Sequence, residues 1–452
     1  MKFTFASNFL MKMKVLKFGG TSVGSIENIK NVKNIINDGE KKVVVLSAMS
    51  GTTNTLVSIA KHIEQDQPNE ALDVINKLHS NYFNVVDGLL TNESLNKKAK
   101  DYVSAVFNLL VECTDKTFSK VIENTILAQG ELLSTFMFNC FLEQEGVSST
   151  LLPALDFMRI DKSKDPDITY IKSKIASVLD AGPDADIYIT QGFICLDNEG
   201  NISNLQRGGS DYSATIIGAV LKVDEVQIWT DIDGMHNNDP RYVENTRPIS
   251  NLSFDEAAEL AYFGAKILHP QTVTPVREDN IPVRLKNTMN PEAHGTLISS
   301  DTTENGIKAI AAKDNITAIK IKSGRMLQAH GFLKRVFEIF EVYETSIDMI
   351  TTSEVAVSLT IDDDKNLDKI VSELEKFASI EVDKDQSIIC LVGHSVVKHE
   401  DTYKMFQILQ DVKIRMISYG GSNNNISLLV NSKDKITTLT KLNDYLFELV
   451  TL

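Results

Sequence analysis

Cysteine is scarce. The 452 residues hold four, Cys113, Cys140, Cys195 and Cys390, and no two form a CxxC pair. That spacing argues against a disulfide framework and a thiolate zinc site, and it suits a reduced, cytoplasmic chain. The eight histidines show no metal-ligand spacing, so no protein-bound metal is expected. Apolar runs stay short of the roughly 18 residues of a membrane span. Basic excess is also lacking: 46 Lys and Arg face 61 Asp and Glu, a formal charge of −15. A general nucleic-acid binder needs the opposite balance, although a local basic pocket for a small anion remains open. No G-x-x-x-x-G-K-[ST], G-x-S-x-G or H-E-x-x-H occurs, which argues against a Walker loop, an α/β-hydrolase and a zincin. Met1 to Leu10 is too short for a secretory signal, and Met11 and Met13 are alternative starts.

What is present is a set of small-residue turns, led by Lys17-Phe18-Gly19-Gly20-Thr21-Ser22. It follows Val15-Leu16 and precedes a helix-like segment from Ser25 to Asn37. Glycines allow backbone N–H groups to approach an anion, and the following helix adds its positive end. The plain alternative is a tight strand-to-helix turn without a ligand.

Strand-like and helix-like segments alternate from Lys14 to about Asn287. Lys14–Phe18, Lys42–Ser47, Ser149–Leu152, Ile187–Gln191 and Glu225–Thr230 read as strands. Leu56 to Gln144 is mostly helical. This predicts a three-layer α/β/α domain with a mainly parallel sheet covered on both faces. Ligands of such sheets sit beyond the carboxyl ends of the strands, where the glycine-rich turns fall. Composition shifts at Met289–Glu304, read as a boundary. After it comes βαββαβ order: strands near Ile316–Lys322, Ser346–Thr352, Val355–Thr360 and Ile380–Val382, helices over Phe332–Tyr343 and Leu367–Phe377. Ser387–Leu449 repeats most of it and lacks a sixth strand. Gly306–Ala312 is expected to supply that strand, which makes the first copy an insertion in the second. The expected domains are 13–296, then 314–385, then 297–313 joined to 386–452.

Three further stretches carry candidate chemistry. Gln206-Arg207-Gly208-Gly209-Ser210-Asp211-Tyr212-Ser213 offers a guanidinium fork and a carboxylate before a helix expected from Ala214. Asp211 as a simple helix cap is the alternative. Trp229 to Arg241 follows a strand and brings Thr230, Asp231, Asp233, His236, Asp239 and Arg241. A calcium loop is discounted there, because the flanking EF-hand helices and the terminal Glu are missing. Phe263-Gly264-Ala265-Lys266-Ile267-Leu268-His269-Pro270 brings one more lysine, whose ordinary fate is the surface.

Together these stretches closely resemble aspartokinase of the amino-acid kinase superfamily, from Lys14 almost to the end. The paired C-terminal units resemble ACT domains, which bind small amino acids at interfaces. The resemblance implies ATP-dependent phosphorylation of the L-aspartate β-carboxylate, the first step of lysine, threonine and methionine biosynthesis, with Mg2+ accompanying ATP. It assigns Lys17 to the transferred phosphoryl group, with Gly19, Gly20 and Thr21 around it. Thr53, Glu131, Arg207 and Ser210 go to aspartate, Glu131 through the substrate ammonium and Arg207 through the α-carboxylate. Asp211 orients the lysines. Thr230, Asp231, His236, Asp239, Arg241 and Lys266 go to the nucleotide; many relatives have tyrosine in place of His236. Asp348 and Glu354, with Met326, Phe332, Leu333, Ile347, Thr352 and Ser353, resemble the effector segment of lysine-sensitive members. Ala329 replaces a serine of some of them. Lysine feedback is the implied regulation, with threonine or no effector as alternatives. A homodimer through the ACT domains, or a dimer of such dimers, is implied, and no room for a homoserine dehydrogenase is expected after Leu452.

Two readings compete with this one: a kinase for another amino acid or a nucleoside monophosphate, and a silent amino-acid sensor. Glu131 with Arg207 disfavours the first; Lys17, Arg207, Asp211 and Lys266 together disfavour the second. A carboxylate nucleophile is ionised at neutral pH, its reference pKa being about 4, so no general base is required. The absence of a catalytic histidine is then no gap.

Overall fold

The structure, a computed structural model, describes residues 13–205, 208–264, 268–301, 305–324, 330–398 and 404–448. Arg207, Lys266 and Met326 lie outside the described residues. The chain forms two compact units. The first takes the described parts of Met1–Met235, Ser250–Phe254 and Leu268–Ser300; the second takes those of His236–Ile249, Asp255–Ile267 and Asp301–Leu452.

The first unit begins β1 (Lys14–Phe18), α1 (Ile26–Ile36) and β2 (Lys42–Leu46). Four helices follow: α2 (Thr52–Glu64), α3 (Pro68–Leu89), α4 (Glu93–Thr114) and α5 (Lys120–Gln144). Next come β3 (Ser149–Leu151), α6 (Ile168–Ala181) and β4 (Ile187–Gln191). A hairpin of β5 (Ile194–Leu196) and β6 (Ile202–Asn204) leads to α7 (Gly209–Leu221), β7 (Glu225–Thr230) and β8 (Asn251–Ser253). After α8 (Phe254–Tyr262), which belongs almost wholly to the second unit, the chain returns with α9 (Thr274–Arg277), β9 (Val283–Asn287) and β10 (Thr296–Ser299).

Local chemistry accounts for these elements. All five residues of β2 are buried, as in a strand covered on both faces. The Ser25 hydroxyl caps α1, accepting from the Asn28 N–H at 3.2 Å, and Ile29, Val32 and Ile36 turn inward. Helix α5 is apolar on nearly all sides, and its middle, Ile126 to Phe138, is mostly buried, Glu131 included.

The strand order is β3-β4-β2-β1-β7-β9-β10-β8, with every neighbouring pair parallel except β9 with β10. From β1 the chain builds outward to β2 and β4 on one side and to β7 and β9 on the other. That reversal is where such a sheet opens a crevice at its strand ends.

Two boundaries differ from the sequence reading. Helix α7 starts at Gly209, five residues before Ala214, because Gly208 takes a left-handed turn at φ 71° and releases the helix at once. Strand β10 lies inside the stretch read as a boundary. Only Thr296 and Ile298 of it turn into the core, so its apolar signal is too short to stand out.

The second unit carries β11 (Gly306–Lys322), α10 (Phe332–Val342), β12 (Ile350–Thr352), β13 (Ala356–Ile361) and α11 (Leu367–Glu375). It continues with β14 (Ser379–His394), α12 (Lys404–Ile408), β15 (Ile414–Ser418), β16 (Asn425–Asn431) and α13 (Lys435–Asn443). The antiparallel order is β12-β13-β11-β14-β16-β15. Strands β11 and β14 pair along their whole length, so each joins two segments read separately from the sequence. The register slips where Asn315 (φ 61°) and Asp385 (φ 56°) leave the extended conformation. On one side of the slip, Thr317–Lys322 sits between Ser379–Asp383 and β13. On the other, Ile388–His394 sits between Gly306–Lys313 and β16. Each half has its own core, one around Ile319, Phe340 and Leu359, the other around Ile389, Leu428 and Leu439. Tyr242 and Val243 pack on the second core, so part of the chain between β7 and β8 is held by this unit.

Candidate active site

The carboxyl ends of the parallel strands of the first unit collect most of the predicted residues. Strand β1 delivers Lys17 and the turn behind it. Gly20 sits tight on the end of β2: a Cβ there would lie 2.9 Å from the Ala48 carbonyl oxygen, so only glycine fits without movement. Gly19 donates its N–H to Trp229 O at 3.1 Å, which commits that donor to the β1–β7 ladder. Thr21 is exposed at the turn.

Lys17 Nζ lies 2.6 Å from Asp211 Oδ1, and both side chains are largely covered, at 11% and 17% exposure. Asp211 stands in the first turn of α7, where a carboxylate is favoured by the helix dipole. Ser210 beside it is buried against Gly192, where a Cβ would come within 2.3 Å of the Ser210 Cβ.

Glu131 is 4% exposed. Its Oε1 accepts the Ala48 N–H at 3.2 Å, and its buried Oε2 finds no hydrogen-bond partner among the described residues. Burial pushes its carboxyl up to about 7, against the opposing pull of the Ala48 N–H and the Lys17 charge. A buried acid titrating near neutral pH, with one oxygen unpartnered among the described residues, is suited to a cation. Thr53 is exposed in the first turn of α2, while its neighbour Thr52 is buried and bonded to the Tyr82 hydroxyl at 3.0 Å.

At the end of β7, the Thr230 hydroxyl donates to Asp231 Oδ1 at 3.1 Å and Asp231 is exposed. Asp239, Arg241 and His236 belong to the second unit. There Arg241 forks onto Asp239, at 2.6 Å from Nη2 to Oδ2, and His236 Nδ1 bonds with the Thr246 hydroxyl at 3.0 Å.

Sequence reasoning passed over the residues that tie these turns together. Ser22 and Thr288 are buried, and their hydroxyls meet at 2.7 Å. The Thr288 N–H also donates to Thr230 O at 2.8 Å. Its neighbour Asn287 donates to Asp233 from its side chain and accepts the Met289 N–H at 2.8 Å. One short segment after β9 thus fixes the Lys17 turn against the end of β7. The available signal was the polar pair Asn287-Thr288 closing an alternating strand. Among the described residues, no group of three His, Cys, Asp or Glu side chains could hold a metal ion.

In the second unit, Thr352, Ser353 and Glu354 are exposed at the turn between β12 and β13. Phe332 stands edge-on to Phe377, Leu333 is 38% exposed, and Ile347 packs on the first half-core. Asp348 is turned inward and paired; its N–H donates to Thr360 O at 2.9 Å, and the regular strand expected from Ser346 is shorter, Ile350–Thr352.

A profile described as the amino acid kinase family matches residues 12–287, and an ACT domain profile matches 389–446. Lysine-sensitive aspartokinase 3 of Escherichia coli (strain K12) is 33% identical over 97% of this chain and 100% of its own length. The chain belongs to the aspartokinase family. Among solved structures, E. coli aspartokinase III in complex with aspartate and ADP (R-state) superposes with a TM-score of 0.82 at 32% identity, over 96% of this chain and 100% of that one. The same aspartokinase in complex with lysine and aspartate (T-state) gives 0.79 at 32% identity, over 96% and 99%. The fold of this aspartokinase is therefore the kinase sheet followed by the ACT-type antiparallel sheet. No helix among the described residues is long and apolar enough to cross a membrane.

Proposed function

We propose that this aspartokinase uses the strand-end cluster around Lys17 and Glu131 to transfer the γ-phosphoryl group of ATP to the β-carboxylate of L-aspartate. The carboxylate oxygen attacks phosphorus, the bond to the β,γ-bridging oxygen breaks, and 4-phospho-L-aspartate and ADP leave. The observation that carries the reading is Glu131: a buried carboxylate with an oxygen unpartnered among the described residues, near the largely covered Lys17. It suits the substrate ammonium, and it disfavours dicarboxylates without an amine. Lys17, held by Asp211, stabilises charge on the moving phosphoryl group. Gly20 brings the backbone of the turn close. Thr53 and Ser210 complete the aspartate side; Thr230 and Asp231 serve the nucleotide. Arg207, His236, Asp239, Arg241 and Lys266 keep their roles by resemblance alone. Mg2+ enters with ATP, held mostly by phosphate oxygens and water. Trapping the acyl phosphate with hydroxylamine tests the reaction, and no hydroxamate from aspartate would sink it. Lys17→Ala is expected to lose about 10²–10³-fold in kcat with an unchanged melting temperature. Near-normal turnover would reject the assigned role.

For regulation we infer lysine as the effector, acting at the segment from Phe332 to Glu354, and a cytoplasmic site of action. The domain bounds we adopt are 13–296, 314–385 and 297–313 with 386–452; the pairing of Gly306–Lys313 with Ile388–His394 supports the inserted arrangement. A homodimer through the ACT sheet is supported by its two edge strands. Ile350 at β12, Ile417 on β15 and Tyr419 just beyond it are exposed apolar side chains there. Sedimentation tests the dimer; a monomer at micromolar concentration would exclude it.

A further inference from the structure

Asp348, one of the proposed effector residues, has a side chain only 1% exposed. Its Oδ1 accepts from the Tyr262 hydroxyl at 2.6 Å and from Lys313 Nζ at 2.7 Å. Its buried Oδ2 has no hydrogen-bond partner among the described residues. Lys313 Nζ also lies 2.8 Å from Asp362 and sits over the Tyr262 ring, 4.4 Å from its centre. Two carboxylates thus share one ammonium. The cluster keeps a net negative charge and a spare buried acceptor, which together favour a second cation.

The same cluster is bound to the backbone that leads into the Lys266 stretch. Tyr262 is the last residue of α8. Two residues on, Gly264 has φ 121°, and a Cβ there would meet the Ala312 carbonyl oxygen at 2.1 Å. Ala312 immediately precedes Lys313 in β11. The end of α8 therefore lies close against Ala312 of β11 and is fastened to the next residue, Lys313, through Asp348.

We propose that Tyr262, Lys313, Asp348 and Asp362 form an ammonium-exchange switch. Lys313 occupies Asp348 in the resting chain. A primary amine of the effector takes the carboxylate from Lys313 and Tyr262, and the end of α8 is released from β11. This rests on the reading of lysine as effector. ATP affinity then falls through a two-state element that both ligands bias.

The test measures lysine binding by calorimetry and the KM for ATP with and without lysine, on the full-length enzyme. Lys313→Met removes the competing ammonium, and half-inhibition should come at about tenfold less lysine. Tyr262→Phe removes the fastening. It should bind lysine still, raise the KM for ATP severalfold without lysine, and shrink the further rise on adding it. Should Lys313→Met fail to fold, Tyr262→Phe carries the test alone. An inhibited wild type whose folded variants respond to lysine as it does overturns the switch and leaves the effector reading intact. A wild type that neither binds lysine nor responds to it removes both.

Discussion

Glu131 in the first unit and Asp348 in the second are both nearly sealed from water, and the protein treats them in opposite ways. Glu131 receives one backbone N–H and, among the described residues, no cation in contact, and burial raises its own pKa. Asp348 receives Lys313 and Tyr262 on one oxygen. Burial disfavours the Lys313 ammonium, but Asp348 and Asp362 outweigh it and raise its pKa. Burial and the Asp348 charge raise that of Tyr262. A carboxylate kept for a ligand carries its desolvation cost itself. A carboxylate built into the scaffold is held by its neighbours, and a ligand reaches it only by exchange.

Removing each charge in turn should separate the two cases. Glu131→Gln is expected to lower kcat/KM for aspartate by on the order of 10²–10³, by removing the partner of the substrate ammonium. A small effect would break the comparison. The same variant should melt above the wild type at pH 8, by roughly 3 kcal/mol of stability. The folded pKa of about 7 exceeds the ordinary 4.5, so between those values the folded chain binds the extra proton. Stability therefore falls as pH rises through that window, and the penalty is complete above it. The gain in Glu131→Gln should fade towards pH 4.5. In the wild type, the KM for aspartate should rise about tenfold per unit as pH drops below 7, since only ionised Glu131 holds the ammonium. A flat profile between pH 6 and 8 would contradict this.

Asp348→Asn should shift stability the other way, losing about 1–3 kcal/mol in denaturant titration because Lys313 keeps only Asp362. Stabilisation would mean that Asp348 is as unpaired in solution as Glu131. The smallest effect is expected at the link between strand ends. Thr288→Val strands the Ser22 hydroxyl and should cost about 1–2 kcal/mol. The KM for ATP should rise less than tenfold while that for aspartate stays put, and Thr288→Ser should restore it. An equal rise in both constants would make Thr288 merely structural.

Much of this was legible beforehand. Strands β1, β4 and β7 follow from short apolar runs bounded by turns, and α1 from its serine cap and stripe of isoleucines. The turns beyond β1 and β2 and before α7 announce themselves by small residues with Lys17, Thr53 and Asp211. Short or weakly apolar elements escaped: the β5–β6 hairpin, β8 and β10 offer too few inward residues for a period to show. The seams β11 and β14 read as two strands each, because the polar residues at the register slip, Asp314-Asn315 and Lys384-Asp385, look like loops. The pairing partners of Ser22 and Asp348 could not be read at all, since the first bond spans 266 positions and the Tyr262 bond 86.

By itself the sequence determined which residue types stand at each turn, and hence the family and its chemistry. Lysine-led glycines, a helix-borne Glu131 and Asp211 at a helix start are local features, set by spacing and backbone preference. Only the tertiary structure decided which of these charges have partners. Glu131 has a raised pKa because the packing of α5 against the end of β2 excludes water from it. Asp348 is paired because β11 and α8 bring Lys313 and Tyr262 to it. Burial and pairing are sums over distant neighbours, and no stretch of the chain holds them alone.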